Sequence, residues 1–116
     1  MKLFLFIAAA YILFSGSTAA SGNDEEKCFY FCISRPMKAD TTLVFLYTEV
    51  KDTTCAILQS GSIASIWGEL ADNRCQTASG CTSDVNIYKA KEDAQKNLEN
   101  AINQYRTYFK LEKVKL

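Results

Sequence analysis

The sequence predicts an α+β domain in which two helices pack on one face of a mixed four-stranded sheet. Three observations lead to this fold class. Some stretches alternate apolar and polar residues with the period of a strand, others repeat apolar residues with the period of a helix, and five cysteines follow an export signal. The predicted order is β-β-α-β-α-β, and we expect disulfides to stabilise the domain after the signal peptide is cleaved.

Residues 1–20 have the three-part layout of a cleaved signal peptide. A lysine at position 2 precedes an apolar run over residues 3–14, and small residues follow it. The run is too short to span a bilayer, which needs about 20 apolar residues, and the alternative is a buried N-terminal helix. No cysteine directly follows the run, so we expect no lipid anchor. The prediction is a secreted or periplasmic protein with one small domain over residues 21–116.

The charge of this domain is nearly balanced. Loss of Lys2 with the signal leaves 12 of the 13 basic residues beside 13 acidic ones, so the net charge is near −1. This balance gives no electrostatic reason to expect nucleic acid or an anionic membrane surface as a partner. No second apolar stretch approaches membrane length, so we predict no membrane anchor after signal cleavage.

The first strand is predicted over residues 27–34. Pro36 ends it, because proline restricts the residue before it and cannot donate to a sheet ladder. A second strand is predicted over residues 41–50, which are rich in β-branched and aromatic residues. The short connection makes an antiparallel hairpin the simplest topology. Side chains alternate between the two faces of the first strand with a period of two. One face carries Cys28, Tyr30, Cys32 and Ser34, and the other carries Phe29, Phe31 and Ile33.

Residues 51–54 are predicted as a turn, and residues 55–58 are either a short strand or the approach to a helix. Ser60 or Ser62 is predicted to cap the first helix, which should end near Asn73. The apolar face of this helix follows the i, i+3, i+4, i+7 spacing and comprises Ile63, Ile66, Trp67 and Leu70.

Polar residues 72–83 are predicted as the longest loop of the domain. A short strand follows over residues 84–88, and a second helix begins near Ala90, with acidic residues in its first turn and Arg106 in its last, as the helix dipole favours. A charged edge strand over residues 109–116 closes the chain, and we expect the last three elements to form a βαβ crossover. The predicted apolar stripe of the second helix comprises Ala94, Leu98, Ala101, Ile102 and Tyr105.

Disulfides are the expected role of cysteines in an exported domain of this size. Cys75 and Cys81 flank a flexible loop that can fold back, so they form the favoured pair. Cys28 and Cys32 would lie about 13 Å apart in an extended strand, whereas a disulfide needs about 4.4–6.8 Å between Cα atoms. Cys55 is therefore predicted to bridge to Cys28 or Cys32. The remaining cysteine stays free or forms a covalent homodimer with a second copy of the chain.

Histidine is absent from the sequence. Its absence removes the usual general base, the Ser-His and Cys-His nucleophile pairs and the commonest metal ligand. The spacing of the first two cysteines matches neither the C-x-x-C redox motif nor a zinc pair. Carboxylate pairs such as Glu49 with Asp52, or Glu69 with Asp72, could act on glycans, but solvated surface charge is their ordinary role. We predict no catalytic residue, no metal site and no cofactor.

Trp67 and Tyr30 are the two candidate binding anchors. Trp67 shares the predicted apolar face of the first helix, and large aromatic residues dominate the cores of small domains. The alternative is a role in binding, because Trp and Tyr are enriched at interface hot spots. Tyr30 is the second candidate, since it lies between two cysteines on its face of the first strand.

Together these observations favour a non-enzymatic exported protein that binds a protein partner, as an inhibitor, an immunity-type protein or a receptor-like module does. The alternative is a thiol-dependent redox protein or enzyme that uses the unpaired cysteine, Cys28 or Cys32, as its nucleophile.

Overall fold

The computed structural model describes residues 26–75 and 77–116. The predicted signal peptide, its cleavage site and the start of the domain lie outside the described residues. No helix in the described ranges is long and apolar enough to cross a membrane. The elements in chain order are β1 (Lys27–Pro36), β2 (Val44–Tyr47), β3 (Lys51–Thr54), α1 (Cys55–Gln59), α2 (Ser62–Arg74), β4 (Cys81–Tyr88), α3 (Lys91–Tyr105) and β5 (Lys110–Lys113).

The sheet is built around β1. One edge of β1 pairs with β4 in antiparallel fashion, from Phe29↔Tyr88 to Pro36↔Cys81. The other edge pairs with β3 along its first half and with β2 along its second half, both antiparallel. β5 then adds to β2 in parallel. The sheet is therefore mixed, and the predicted α+β class and antiparallel hairpin are confirmed.

A bulge separates β2 from β3. On β1, two residues lie between the pairs Ile33↔Tyr47 and Tyr30↔Lys51, whereas three lie between the same pairs on the facing chain. One extra residue on one side of an antiparallel ladder is the definition of a β-bulge. The prediction of four strands with a turn at residues 51–54 is therefore wrong. This polar segment continues the second strand beyond the bulge, which gives five strands in the described chain.

Thr48 closes the ladder across the bulge. Its Oγ1 accepts a hydrogen bond from the amide of Cys32 at 3.0 Å, and its own amide donates to the carbonyl of Cys32 at 3.0 Å. Both residues are buried, so each of these backbone groups would otherwise be left without a partner away from water. The threonine hydroxyl thus replaces a backbone acceptor at the point where the register changes.

The two long helices lie on opposite faces of the sheet. Leu46 packs in one core cluster with Trp67 of α2, whereas the neighbouring Phe45 stacks on Tyr105 of α3 with ring centroids 4.7 Å apart. Successive side chains of a strand point to opposite faces, so α2 and α3 cover different sides. The prediction that both helices pack on one face is wrong. The physical reason is that β1 is apolar on both faces, and both must be removed from water.

The buried face of α2 differs from the predicted face by part of a turn. Trp67 and Ala71 are buried against the sheet, whereas Ile66 is 56% exposed. The helix ends at Arg74, close to the expected position, but its N-cap is Gly61 rather than either predicted serine. Gly61 has φ = +84°, a left-handed conformation that a residue without Cβ adopts readily.

The apolar stripe of α3 is confirmed. Ala94 and Leu98 are buried, and the other three predicted members are half-buried. Acidic residues occupy the first turn as expected, while Arg106 is the C-cap rather than a member of the last turn. β1 runs antiparallel to both β2 and β4, and β5 runs parallel to β2, so β4 and β5 are parallel. The expected βαβ crossover is therefore present, with β1 and β2 between its strands.

Two disulfides fasten the domain. Cys75 pairs with Cys81 at a Cα–Cα distance of 6.0 Å, as predicted. Cys55 pairs with Cys28 at 5.0 Å, which settles the choice that the sequence left open. This second bridge joins the start of β1 to the first residue of α1, and Thr54 Oγ1 caps α1 by accepting from the amide of the third helical residue. Cys32 remains free.

Candidate functional site

The two predicted anchors, Trp67 and Tyr30, lie in the core. Trp67 is 1% exposed, and its Nε1 donates to the carbonyl of Ile33 at 2.9 Å. Tyr30 is buried in the same cluster, and burial, followed by the nearby Cys32 and Asp52, raises the pKa of its hydroxyl. The core role expected for Trp67 is confirmed. In this arrangement neither ring reaches the surface of the domain.

Cys32 is the free thiol, and its side chain is inaccessible. Its exposed fraction is 0%. Burial raises the pKa of the thiol from 9.0 to about 11, against smaller opposing effects from the Thr48 hydrogen bond and from Lys51. Because the thiolate is the nucleophilic form of cysteine, the burial of Cys32 and its raised pKa both oppose its use as a nucleophile near neutral pH.

The predicted carboxylate pairs are solvated. The four carboxylates are all exposed, so none of them is shielded from water. They are Glu49, Asp52, Glu69 and Asp72. Across residues 26–75 and 77–116, no group of three or more cysteine or acidic side chains is placed to hold a metal ion.

A cleft at one end of the α3 side combines exposed apolar side chains with a cation. This aromatic cleft has a volume of about 220 Å³. Two of its members, Met37 and Tyr108, are large hydrophobic residues that are 56% and 51% exposed. The cleft is lined by Arg35, Pro36, Met37, Ala39, Tyr105, Tyr108 and Phe109.

One wall of the aromatic cleft is the turn that ends α3. The amides of Tyr108 and Phe109 both donate to the carbonyl of Tyr105 at 3.0 Å, which folds the chain back directly after the helix. The ring centroid of Phe109 lies 6.2 Å from that of Tyr105 and 6.5 Å from that of Tyr108. Such spacings are typical of favourable aromatic pairs, so the three rings hold one another in place.

The opposite wall is held by the loop that the Cys75–Cys81 disulfide closes. The Met37 amide donates to the carbonyl of Gly80 at 3.0 Å, and the hydroxyl of Thr82 donates to the Met37 thioether. Pro36 faces Cys81 across the sheet. The disulfide-closed loop therefore positions the exposed methionine, although it lies far from Met37 in the sequence.

Arg35 gives the aromatic cleft its charge. Its guanidinium carbon lies 6.0 Å from the centroid of the Tyr105 ring, within the range of a cation–π contact. The Tyr105 ring is in turn stacked on the buried Phe45. The arrangement presents a cation, the rings of Tyr105 and Tyr108 and a flexible thioether at one surface, whereas the Phe109 ring is largely buried. Arginine, tyrosine and methionine are enriched at protein interfaces.

A second groove lies at the bulge, between the sheet and α3. Its volume is about 300 Å³. Several of its lining side chains are charged or polar, with both signs of charge present, and no exposed large hydrophobic residue lies in it. Its lining comprises Tyr47, Glu49, Val50, Gln95, Leu98, Glu99, Ile102 and Lys113.

Sequence reasoning missed the aromatic cleft because its two walls are far apart in the chain. Pairing of β1 with β4 brings Met37 to the disulfide-closed loop, and the α3 crossover brings Tyr108 beside it. A usable signal was present in the Tyr-x-x-Tyr-Phe run after the predicted second helix, where large rings follow the helix instead of polar residues. In comparisons with family models, curated proteins and solved structures, none matched the chain.

Proposed function

We propose that the chain is a non-enzymatic exported domain that binds a protein partner through the aromatic cleft. The observation that carries the proposal is the exposure of Met37 and Tyr108 beside the rings of Tyr105 and Phe109. Single hydrophobic residues at a surface are common, but several in one concave patch are characteristic of interaction sites. Arginine, tyrosine and methionine around a pocket are the composition that interface hot spots favour.

The size of the aromatic cleft favours a protein over a small molecule. Pockets for small-molecule ligands usually enclose about 300–1,000 Å³. A volume of about 220 Å³ is below that range and suits a side chain that projects from another surface. Burial of Cys32 and the solvated carboxylates support a binding role over thiol or acid–base catalysis. The two disulfides support export, because they persist in oxidising compartments.

Affinity capture with matched variants tests the proposal. The domain over residues 21–116 is immobilised as wild type, as Met37→Ala/Tyr108→Ala and as Ile66→Ala, and each is exposed to proteins of the same extracellular compartment. Ile66 is as exposed as Met37 but lies on α2, across the sheet, so it reports on loss of surface hydrophobicity alone. A retained protein is then purified, and its affinity for each variant is measured by calorimetry.

We expect the double variant to weaken binding by about thirtyfold or more, because hot-spot truncations cost about 2 kcal/mol or more. Ile66→Ala should bind like the wild type. Circular dichroism should show both variants folded, since substitutions at exposed sites change stability by about 0.5 kcal/mol or less. A partner that binds the double variant as tightly as the wild type, or the absence of any retained protein, would contradict the proposal.

A further inference from the structure

We propose that the aromatic cleft binds an acidic segment of the protein partner and receives one apolar side chain from that segment. This inference rests on the proposed function and adds the chemistry of the ligand: carboxylates that flank a single aromatic or aliphatic anchor. Two features of the described residues carry it, the charge around the aromatic cleft and the apolar character of its walls.

One cation lines the aromatic cleft, and two more are adjacent in sequence to residues that line it. Arg35 lines it, Lys38 stands between two lining residues, and Arg106 directly follows Tyr105. Lys38 and Arg106 are exposed, and the two ion pairs found in the described parts of the chain involve other residues. Unpaired cations at the rim of an apolar patch attract and orient a partner of the opposite charge.

The acidic residue nearest to these cations in the chain is already engaged. Asp40 accepts hydrogen bonds from the amide of Thr42 at 2.9 Å and from its hydroxyl at 2.7 Å. These bonds, the backbone one first, lower the pKa of the Asp40 carboxyl, with a smaller contribution from Lys38. A second carboxylate, Asp84, pairs with Ile33 on the sheet face that Arg35 shares, so three cations against two carboxylates leave a net charge of +1 in a domain whose total charge is near −1.

The walls of the aromatic cleft favour an apolar side chain of the partner as the anchor. The rings of Tyr105 and Phe109 and the thioether of Met37 offer apolar surface, and the small volume suits one side chain. The guanidinium carbon of Arg35 lies over the Tyr105 ring, and Arg35 takes part in neither of the two ion pairs of the described residues, so its five N–H donors have no carboxylate partner there. A carboxylate next to the anchor can therefore accept charge-assisted hydrogen bonds from Arg35.

Selection from a phage-displayed library of random short peptides tests this inference. The library is selected on the wild-type domain and depleted on Met37→Ala/Tyr108→Ala, so that peptides bound in the aromatic cleft are kept. Enriched peptides are synthesised, and their association and dissociation rates are measured by biolayer interferometry. The charge variant is Lys38→Glu/Arg106→Glu, and Lys91→Glu/Lys96→Glu on the exposed side of α3 is a control with the same change in net charge.

We expect the enriched peptides to carry acidic residues on both sides of one aromatic or aliphatic residue. Lys38→Glu/Arg106→Glu should slow association by about tenfold at low salt, because rim charges act mainly on encounter. Met37→Ala should mainly accelerate dissociation. Raising the ionic strength from about 0.1 M to 1 M shortens the Debye length from about 10 Å to 3 Å and should remove most of the difference between wild type and charge variant.

Each contrary result identifies what has failed. Neutral or basic peptides that depend on Met37 would overturn the inference and leave the aromatic cleft as a binding surface. Failure to enrich any peptide that depends on Met37 would overturn both the inference and the proposed function. Tight binding of a single-stranded oligonucleotide that is lost in Lys38→Glu/Arg106→Glu, with no acidic peptide selected, would assign the cations to a polyanion and would also overturn the inference.

Discussion

Removal of the Cys28–Cys55 disulfide should destabilise the domain more than removal of the Cys75–Cys81 disulfide. The two bridges differ in the length of chain that they close, with sequence separations of 27 and 6 residues. The loop-entropy relation gives about 3.6 kcal/mol for the longer loop and about 2.2 kcal/mol for the shorter one. The difference of about 1.4 kcal/mol corresponds to about tenfold in the unfolding equilibrium.

Burial of the cysteines acts in the same direction. Cys28 and Cys55 are buried in the core, whereas Cys75 and Cys81 are partly exposed. Replacement of the buried pair by alanine also leaves a small void, and voids lower stability further. Because domains of this kind are usually stable by only about 5–15 kcal/mol, the loss is a substantial share of the total.

Equilibrium unfolding in urea measures the difference. The variants Cys28→Ala/Cys55→Ala and Cys75→Ala/Cys81→Ala are compared with oxidised wild type, each by circular dichroism and by Trp67 fluorescence. We expect the lowest urea midpoint for Cys28→Ala/Cys55→Ala, which lacks the disulfide that closes the longer loop. Circular dichroism and Trp67 fluorescence should give coincident transitions. Equal losses for the two variants, or a larger loss without the Cys75–Cys81 bridge, would refute the argument from loop length and burial.

Three further predictions concern the core. Trp67→Ala should lower the free energy of unfolding by about 3–5 kcal/mol, whereas Ile66→Ala on the same helix should change it by about 0.5 kcal/mol or less in the same denaturant assay. Burial raises the pKa of Cys32 from 9.0 to about 11, so the unfolded chain loses this proton at lower pH than the folded chain does. The contribution of Cys32 to the free energy of unfolding is therefore fully present below pH 9 and falls as the pH rises toward 11. Cys32→Ala should flatten this decline between pH 9 and 10. Thr48→Val should cost about 1–3 kcal/mol because the Cys32 amide loses its acceptor, while Thr48→Ser should cost less in parallel melts.

Local signals predicted the local elements. The apolar stripe of α3 was predicted because its members recur at helical spacing with no competing pattern, and it is confirmed. The Cys75–Cys81 pair was predicted because a short flexible loop brings its ends together whatever the rest of the chain does. Whether Cys55 forms its disulfide with Cys28 or with Cys32 depends on how α1 lies against β1. No local sequence pattern predicts that placement.

The two errors concern the sheet face that each helix covers and the strand pairing beyond the bulge. Both features depend on residues that are distant in the sequence. β1 carries apolar side chains at both its odd and even positions, and a strand of that kind must be covered on both sides. That pattern was available in the sequence and would have placed the helices on opposite faces. The continuation of the strand after the bulge could not be predicted in the same way, because Lys51 and Asp52 are polar and only the pairing with β1 makes them a strand.

The aromatic cleft could be predicted only in its parts. The rings of Tyr105, Tyr108 and Phe109 are close in sequence, but their partner Met37 is brought to them by the sheet and by the disulfide-closed loop. Trp67 and Tyr30 were singled out as anchors by residue type alone. Residue type does not show which aromatic groups the fold buries, and here the rings at the surface are different ones.

The strand order has a consequence for the nascent chain. β1, β2 and β3 are synthesised first, whereas β4 and β5 are synthesised later and pair with the free edges of β1 and β2, respectively. Until residue 81 has left the ribosome, the early hairpin presents two rows of unpaired amides and carbonyls. Such rows template pairing with other chains. Premature termination before β4 would therefore leave the long free edge of β1 exposed in a fragment prone to aggregate, whereas synthesis of the last third of the chain covers that edge with β4.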